Sequence, residues 1–144
     1  MSLRRRLFDM GSEGVIRDLG LLVLRLGFSL PMLFGHGLGK MERLLSGSTR
    51  FADPLGIGSG LSLGLAAASE FVFAFLLAVG LMSRVSTIPL VVTMGVAFFL
   101  HHGSDPFGEK EKALLYLVGF VALFLTGPGR FSIDRLLQKR KRAG

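Results

Sequence analysis

The chain has no cysteine and no tryptophan, and only 19% of its 144 residues are charged. Without cysteine it can form no disulfide, no CxxC redox pair, no thiolate metal site and no cysteine nucleophile. Soluble domains carry about 25% charged residues. This sequence instead has 50% hydrophobic residues and a mean hydropathy of +0.56. The composition predicts a membrane protein, and the length predicts a single domain over residues 1–144.

Basic residues outnumber acidic ones, which gives a formal net charge of +7 and a pI near 10.8. They flank apolar segments and do not alternate with exposed aromatic residues, so no nucleic acid is predicted as a partner. The start of the chain, MSLRRRLFDM, is not followed by a short apolar run with a small-residue cleavage site. A removable signal peptide is therefore not predicted.

Four apolar segments come close to the roughly 20 helical residues that cross a hydrocarbon core about 30 Å thick. Pro31 and Pro89 lie within or near the starts of helical runs, where a kink or a first-turn position is expected. The Gly-Pro-Gly sequence at residues 127–129 is a strong helix stop. Together the segments predict an all-α integral membrane four-helix bundle with spans at about residues 17–38, 60–82, 85–102 and 112–127.

Lysine and arginine are distributed unequally across four spans, with 11 on one side and 5 on the other. The positive-inside rule then places both termini in the cytoplasm. The basic tail at residues 128–144 lies on that side, where its RLLQKRKR segment can rest on anionic headgroups. On the opposite side, the MERLL segment with Phe51 can form a short interfacial helix.

Two charges, Arg25 and Glu70, fall inside predicted spans. Each costs about 2.5 to 3.5 kcal/mol there, even on lenient insertion scales. Arg25 shares a helix face with Ser29, Met32 and His36, which follow at intervals of 4, 3 and 4 residues. We predict that Arg25 and Glu70 form a buried ion pair, because a long arginine side chain can bridge their difference in depth. The pair either only fixes helix register or also contacts a substrate, and a neutral, lipid-facing Glu70 is the third alternative.

The ends of the predicted spans carry further polar residues on the outer face. A compact bundle brings the end of the first span, the end of the third and the start of the fourth to one level. Three histidines with carboxylates at that level can bind a metal, a haem or a quinone headgroup, or can be plain interfacial residues, but no HxxxH or ExxH spacing supports a metal site. Tyr116, the only tyrosine, can hydrogen-bond a ligand carbonyl or anchor its helix. The predicted cluster comprises His36, Lys40, His101, His102 and Glu111, above a pocket of Met32, Phe34, Phe98 and Tyr116.

Five stretches carry a family likeness: FGHGLGKM at residues 34–41, ASEFVFAFLLAVGLMSR at 68–84, the histidine pair at 101–102, EKALLYLVGFVALFLTGPGRFSIDRLL at 111–137, and the arginine of LLVLRLGFSL. Together they resemble the DoxX family over about residues 19–137. The resemblance implies a four-helix, multi-pass protein of the bacterial inner membrane. The positions that match the polar motif of the family are Arg25, His36, Lys40, Glu70, His102 and Glu111.

The resemblance also implies two kinds of function, because the family is named after a subunit of a thiosulfate:quinone oxidoreductase while distant relatives look like membrane chaperones. The first hypothesis is an accessory quinone-interacting or electron-transfer subunit with quinone as cofactor. It binds this ligand through the six matched positions and Tyr116. The second is a non-catalytic scaffold or chaperone that docks other membrane proteins. Both hypotheses predict the lipid bilayer, and either other subunits or a second copy, as partners.

Overall fold

The computed structural model describes residues 14–143, and all regular secondary structure within that range is helical. The all-α prediction is therefore confirmed. The N-terminal segment MSLRRRLFDM, with its three arginines, and Gly144 lie outside the described residues. The helices are α1 (Gly14–Leu45), α2 (Ser59–Val79), α3 (Ser83–His101), α4 (Phe107–Thr126) and α5 (Ile133–Ala143).

Helix α1 is longer than the sequence predicted. Its last turns, Leu38–Leu45, contain the MERLL segment, which continues the span and does not form a separate interfacial helix. Pro31 lies inside the helix without ending it. Proline has no N–H to donate to the preceding turn, and a π-helical segment, Leu33–Gly37, begins two residues later. The wider turn lets the backbone continue past the proline toward the far end of the bundle.

Helices α1, α2 and α3 are each long and apolar enough to cross a membrane. The fourth predicted span exists as helix α4, which packs along α3 and against Gly14–Met32 of α1. Its first turns, however, contain the charged sequence EKEK at residues 109–112. The apolar remainder, residues 113–126, is about 21 Å long at 1.5 Å per residue. The part of the chain that the structure describes thus has three candidate spans by length and composition.

The helices approach most closely at two glycines. A methyl group on Gly37 of α1 would collide with the backbone of Glu70 in α2, and one on Gly119 of α4 would collide with the ring of Phe28 in α1. Only glycine lets these backbones and rings come so near. The core between the close contacts is formed by Met32, Leu33, Ala74, Leu77, Leu90, Met94, Phe120 and Leu123.

The two ends of the bundle differ in character. We call the end where α1 and α3 finish and α2 and α4 begin the mouth, and the end that carries Gly14 and α5 the termini end. Arg25 is 2% exposed and belongs to the termini end, where its guanidinium donates to the carbonyl oxygens of Pro128 at 2.6 Å and Phe131 at 2.5 Å. Glu70 pairs with Lys40 instead. The predicted Arg25–Glu70 pair is wrong, because the two terminal nitrogens of Arg25 donate to backbone carbonyls after α4, while its Nε has no hydrogen-bond partner within residues 14–143.

Two carboxylates, Asp134 in the first turn of α5 and Asp18 of α1, also hold the termini end together. Asp134 accepts hydrogen bonds from the Met82 N–H at 2.7 Å, the Ser83 N–H at 2.9 Å and the Ser83 hydroxyl at 2.8 Å. It thereby caps the start of α3. On the other side, Arg130 Nε lies 3.1 Å from Asp18 Oδ2 on α1. The GPGRFSID sequence after α4 therefore connects α1, α3 and α5 at one point.

Candidate functional site

A cavity of about 560 Å³ lies at the mouth of the bundle. Its volume falls in the range of roughly 300 to 1,000 Å³ that is typical of small-molecule sites. Side chains from α1, α2, α3, α4 and the loop between α1 and α2 surround it. The apolar part of its lining includes Met32, Phe51, Pro54, Leu55, Ile57, Leu65, Ala66, Val92, Met94, Val96, Ala97 and Ala113, and the polar part includes His36, Lys40, Glu70, Thr93, His101, His102, Glu109, Lys112 and Tyr116.

Three helices change to π-helical geometry beside this cavity. The π-helical segments are Leu33–Gly37 in α1, Ala68–Phe73 in α2 and Ala97–His101 in α3. Each contributes a polar side chain to the cavity, namely His36, Glu70 and His101. Single π-helical turns inside α-helices are uncommon and occur often at functional sites. Three π-helical segments at one level indicate a functional site and not a chance packing defect.

An ion pair between α1 and α2 forms one wall of the cavity. Glu70 is 4% exposed, and its carboxylate accepts a hydrogen bond from the Lys40 ammonium. The absence of a side chain at Gly37 lets α1 approach the Glu70 backbone, which brings Lys40, three residues further along α1, within reach. A buried carboxylate with a cationic partner avoids the large cost of an isolated charge in a membrane. The pair therefore fixes the register of α1 against α2 at the level of the cavity.

Tyr116 of α4 connects the aromatic core to the cavity. Its ring packs edge to face against His36, with centroids 5.7 Å apart, and against Phe28, with centroids 5.9 Å apart. Within residues 14–143, neither the Tyr116 hydroxyl nor the His36 ring nitrogens make a hydrogen bond to the protein. Two side chains with polar atoms in the cavity wall are thus available for a ligand.

The histidine pair lies where α3 ends. The ring centroids of His101 and His102 are 4.4 Å apart, and His102 Nδ1 lies 2.7 Å from Asp105 Oδ2. This contact orients the His102 ring and leaves its Nε2 for other partners. Among the described residues, no three histidine or carboxylate side chains come together as metal ligands do. The pair is suited to hydrogen bonding and proton transfer at the membrane surface.

Asp53 holds the loop between α1 and α2 over the cavity. Its Oδ1 accepts from the Ile57 N–H at 3.0 Å and the Ser62 hydroxyl at 2.8 Å, and its Oδ2 accepts from the Gly58 N–H at 2.7 Å. These hydrogen bonds, with that of Ser62 the largest contribution, lower the pKa of Asp53 from its ordinary value. Asp53 is thus ionised at neutral pH, and it connects the apolar loop to the start of α2.

The cavity opens sideways between α2 and α3. Near the mouth, Ser59–Ala67 of α2 packs against Leu38–Leu45 of α1, whereas α2 contacts α3 through Ala68–Phe73 and the turns after it. Leu65 on α2 and Val92 on α3 both line the cavity, and they are 54% and 58% exposed. The two helices therefore leave an apolar side opening, which faces the surroundings of the bundle.

The structure brings five of the seven predicted ligand-binding residues to the cavity: His36, Lys40, Glu70, His102 and Tyr116. The other two lie elsewhere: Arg25 is buried at the termini end, and Glu111 is exposed beside the cavity without lining it. Of the predicted pocket residues, Met32 and Tyr116 line the cavity. Phe34 is 64% exposed, and Phe98 packs on Phe99 and beneath the Lys110 ammonium.

The predicted cluster left out two residues of α4 and the apolar loop. Glu109 and Lys112 line the cavity together with Tyr116. Their spacing of 3 and 4 residues places all three on one helix face, a signal that was present in the sequence. Residues 51–57 carried no comparable signal, because a glycine- and serine-rich loop does not reveal which surface it covers.

The chain resembles several proteins of bacteria, and two of the three that follow are named as membrane proteins. It is 30% identical over 132 residues to the inner membrane protein YqjF of Escherichia coli, with 87% of this chain and 97% of that protein covered. It is 28% identical over 139 residues to an uncharacterized protein of Haemophilus influenzae, with 91% of each covered. It is 32% identical over 122 residues to the uncharacterized membrane protein Rv3486 of Mycobacterium tuberculosis, with 74% of this chain and 68% of that protein covered.

No solved structure matches the chain. The model of the DoxX family, in contrast, matches residues 20–103, which include α2, α3 and most of α1. The match covers more than half of the chain, and the similarity to YqjF extends over almost the whole of that protein. The predicted family is therefore confirmed: the chain belongs to the DoxX family and is a multi-pass protein of the bacterial inner membrane.

Proposed function

We propose that the cavity at the mouth binds the headgroup of a quinone, and that the protein is an accessory subunit of a membrane oxidoreductase complex. The observation that carries this proposal is an apolar cavity with polar groups from several helices and with half-exposed apolar side chains, Leu65 and Val92, at its side. The chain has no cysteine and no metal-ligand spacing of its own. Electrons therefore come from a partner subunit, and this chain holds the ligand.

The chemistry of a quinone suits the residues of the cavity. A quinone headgroup is a flat ring with two carbonyl oxygens, and it needs hydrogen-bond donors at opposite edges. The Tyr116 hydroxyl, the His36 ring and the Lys112 ammonium supply such donors. The long apolar tail of a membrane quinone leaves through the opening between Leu65 and Val92 and remains in the bilayer.

Reduction of a bound quinone takes up two electrons and two protons. The residues of this chain provide the route for the protons, because His101, His102 and Glu109 line the cavity at its outer edge. These groups exchange protons with water and pass them inward to His36 and Tyr116. The loop that Asp53 holds in place limits the entry of water from above the cavity.

We also propose that α4 is a fourth membrane span and that both termini are cytoplasmic. Support comes from the basic asymmetry and from the packing of α4 along α3. We expect a reporter that is active only in the cytoplasm to be active when fused after Gly144 and inactive when inserted in the loop near Gly47. A reporter that is inactive both at Gly47 and after Gly144 would overturn the fourth span. A reporter that is active at Gly47 and inactive after Gly144 would overturn the orientation.

The quinone proposal predicts weaker ligand binding when a donor is removed from the cavity. Tyr116→Phe should weaken binding of a short-chain ubiquinone by about two- to tenfold, the effect of losing one neutral hydrogen bond. Lys112→Gln should weaken it by about 10- to 100-fold, because a charged donor is lost. Binding is measured by calorimetry on the purified protein in mild detergent, and extraction of the same sample shows whether quinone co-purifies.

The control is Lys110→Gln, since Lys110 lies on the same helix but outside the cavity. It should bind quinone as the unaltered protein does. Equal losses for the two lysine variants would contradict the assignment of the cavity. A lipid extract without quinone, from protein that purifies with a stoichiometric protein partner and binds no added quinone, would support the alternative role as a scaffold or chaperone.

A further inference from the structure

The termini end carries a second cavity, which is separate from the one at the mouth. It has a volume of about 810 Å³ and lies between the start of α1, the start of α3, the loop after α4 and α5. We call it the basic groove. Its basic side chains are Arg17, Arg84, Arg130, Arg135 and Lys141.

Two carboxylates also line the basic groove, but both are already occupied. Asp18 is held by Arg130, with a distance of 3.1 Å from its Oδ2 to the arginine Nε. Asp134 accepts three hydrogen bonds from the start of α3. The five basic side chains of the groove therefore exceed its two carboxylates by three positive charges. Four basic side chains of the groove form no ion pair with a carboxylate within residues 14–143, namely Arg17, Arg84, Arg135 and Lys141.

An apolar rim adjoins these cations. Met82, Val85 and Leu137 line the groove, and about half of each side chain is exposed. Val85 lies in the first turn of α3, so the rim continues from the groove onto the membrane-spanning surface of the bundle. A cationic recess that borders an apolar, lipid-facing helix matches an amphiphile with an anionic head. It does not match a free anion, because a free anion has no apolar group to pack against the rim.

Helix α5 places the groove at the membrane surface. Its apolar side chains Ile133, Leu136 and Leu137 are exposed, and four of its five basic residues lie in the last two turns. Such a helix lies in the interface with its apolar face toward the acyl chains. Arg135 and Lys141 on α5 are thereby held at headgroup level beside Arg84 of α3.

We propose that the basic groove is a binding site for an anionic phospholipid. The phosphate lies among Arg84, Arg135 and Lys141, and the acyl chains run along Met82 and Val85. Guanidinium groups bind phosphate oxygens through paired, charge-assisted hydrogen bonds, which favours arginine over lysine at such a site. The site is independent of the cavity at the mouth and of any quinone there.

The experiment compares two double variants of α5 that each remove one arginine and one lysine. Arg135→Gln with Lys141→Gln alters the groove, whereas Arg140→Gln with Lys139→Gln removes the same charge from α5 outside it. Binding of a short-chain phosphatidylglycerol to the full chain in neutral detergent is measured by native mass spectrometry and calorimetry. Short-chain phosphatidylcholine and inorganic phosphate are tested alongside.

We expect the groove variant to bind phosphatidylglycerol about 30-fold more weakly, which corresponds to the loss of two basic residues near an anionic headgroup. The matched variant should change binding by less than about threefold. Equal losses in both variants would overturn the proposal in favour of diffuse attraction. Binding of inorganic phosphate as tight as that of the lipid would overturn it in favour of a free anion.

A single charge reversal provides a second test in case the groove variant does not fold. Lys141→Glu and Arg142→Glu both alter the exposed final turn of α5, and only Lys141 lines the groove. Weaker lipid binding confined to Lys141→Glu, with unchanged thermal midpoints, supports the site. Unchanged lipid binding in both variants contradicts it.

Discussion

Replacement of Glu70 or Lys40 by leucine is expected to destabilise the protein by about 3 to 5 kcal/mol, because each change leaves an uncompensated buried charge. Removal of both should cost less than the sum of the two, since the double variant buries no charge. The reason is the position of the pair between α1 and α2, where Glu70 is almost fully buried and Gly37 lets the helices touch.

The measurement is the free energy of unfolding in mixed micelles, followed by circular dichroism, for the two single variants and the double variant. Glu42→Leu serves as the control, because Glu42 is an exposed carboxylate at the same end of α1 as Lys40. It should change the stability by less than about 0.5 kcal/mol. Strictly additive losses for Glu70 and Lys40 would show that the two side chains do not interact.

The loss of the ion pair should also affect the cavity. Glu70 and Lys40 form part of its wall, and the π-helical turns of α1 and α2 meet beside them. A variant that folds but has lost this register brings His36 to a different place relative to Tyr116. Stability and quinone binding are therefore expected to fall together in these variants, in contrast to Tyr116→Phe, which should weaken only binding.

Hydropathy predicted the helices well, because the cost of exposing backbone and polar groups to lipid leaves few alternatives to apolar helices. It predicted the end of α1 poorly. The sequence GKMERLL at residues 39–45 has the charges of an interfacial segment, but Lys40 reaches Glu70 and so belongs to the span. Only the three-dimensional contact of α1 with α2 shows that the helix continues through these residues.

The predicted partner of Glu70, Arg25, was wrong for a related reason. Counting from the predicted helix ends placed Arg25 about 6 Å from the depth of Glu70, a distance that an arginine can bridge. A comparison of depths covers only charged side chains inside the predicted spans and leaves out backbone acceptors. In the structure, the two terminal nitrogens of Arg25 donate to the carbonyl oxygens of Pro128 and Phe131, and a sequence does not reveal which backbone carbonyls lack a donor.

The position of the cavity was predictable from depth alone, since helix ends at one membrane level must meet in a compact bundle. The sequence did not predict which of the neighbouring residues at the start of α4 lines the cavity. Glu109 and Glu111 lie two residues apart on α4 and so face directions that differ by about 160°. Which one lines the cavity depends on the rotation of α4, and this is set by the contact of Gly119 with Phe28.

Arg25→Leu is expected to destabilise the protein by about 2 to 4 kcal/mol, because it leaves the carbonyl groups of Pro128 and Phe131 without a donor. The gain from no longer burying a guanidinium offsets part of the loss of two charge-assisted hydrogen bonds. Arg25→Lys should recover less than half of the lost free energy of unfolding. A single ammonium does not reproduce the planar guanidinium, which donates to both carbonyl oxygens.

The decisive comparison combines Arg25→Leu with Glu70→Leu in one chain. The two residues act at opposite ends of the bundle and share no partner, so their effects on the free energy of unfolding should add within about 0.5 kcal/mol. A coupling larger than about 1 kcal/mol would restore the direct Arg25–Glu70 pair and contradict the contacts of the termini end. Quinone binding by folded Arg25→Leu should equal that of the unaltered protein, because Arg25 does not line the cavity.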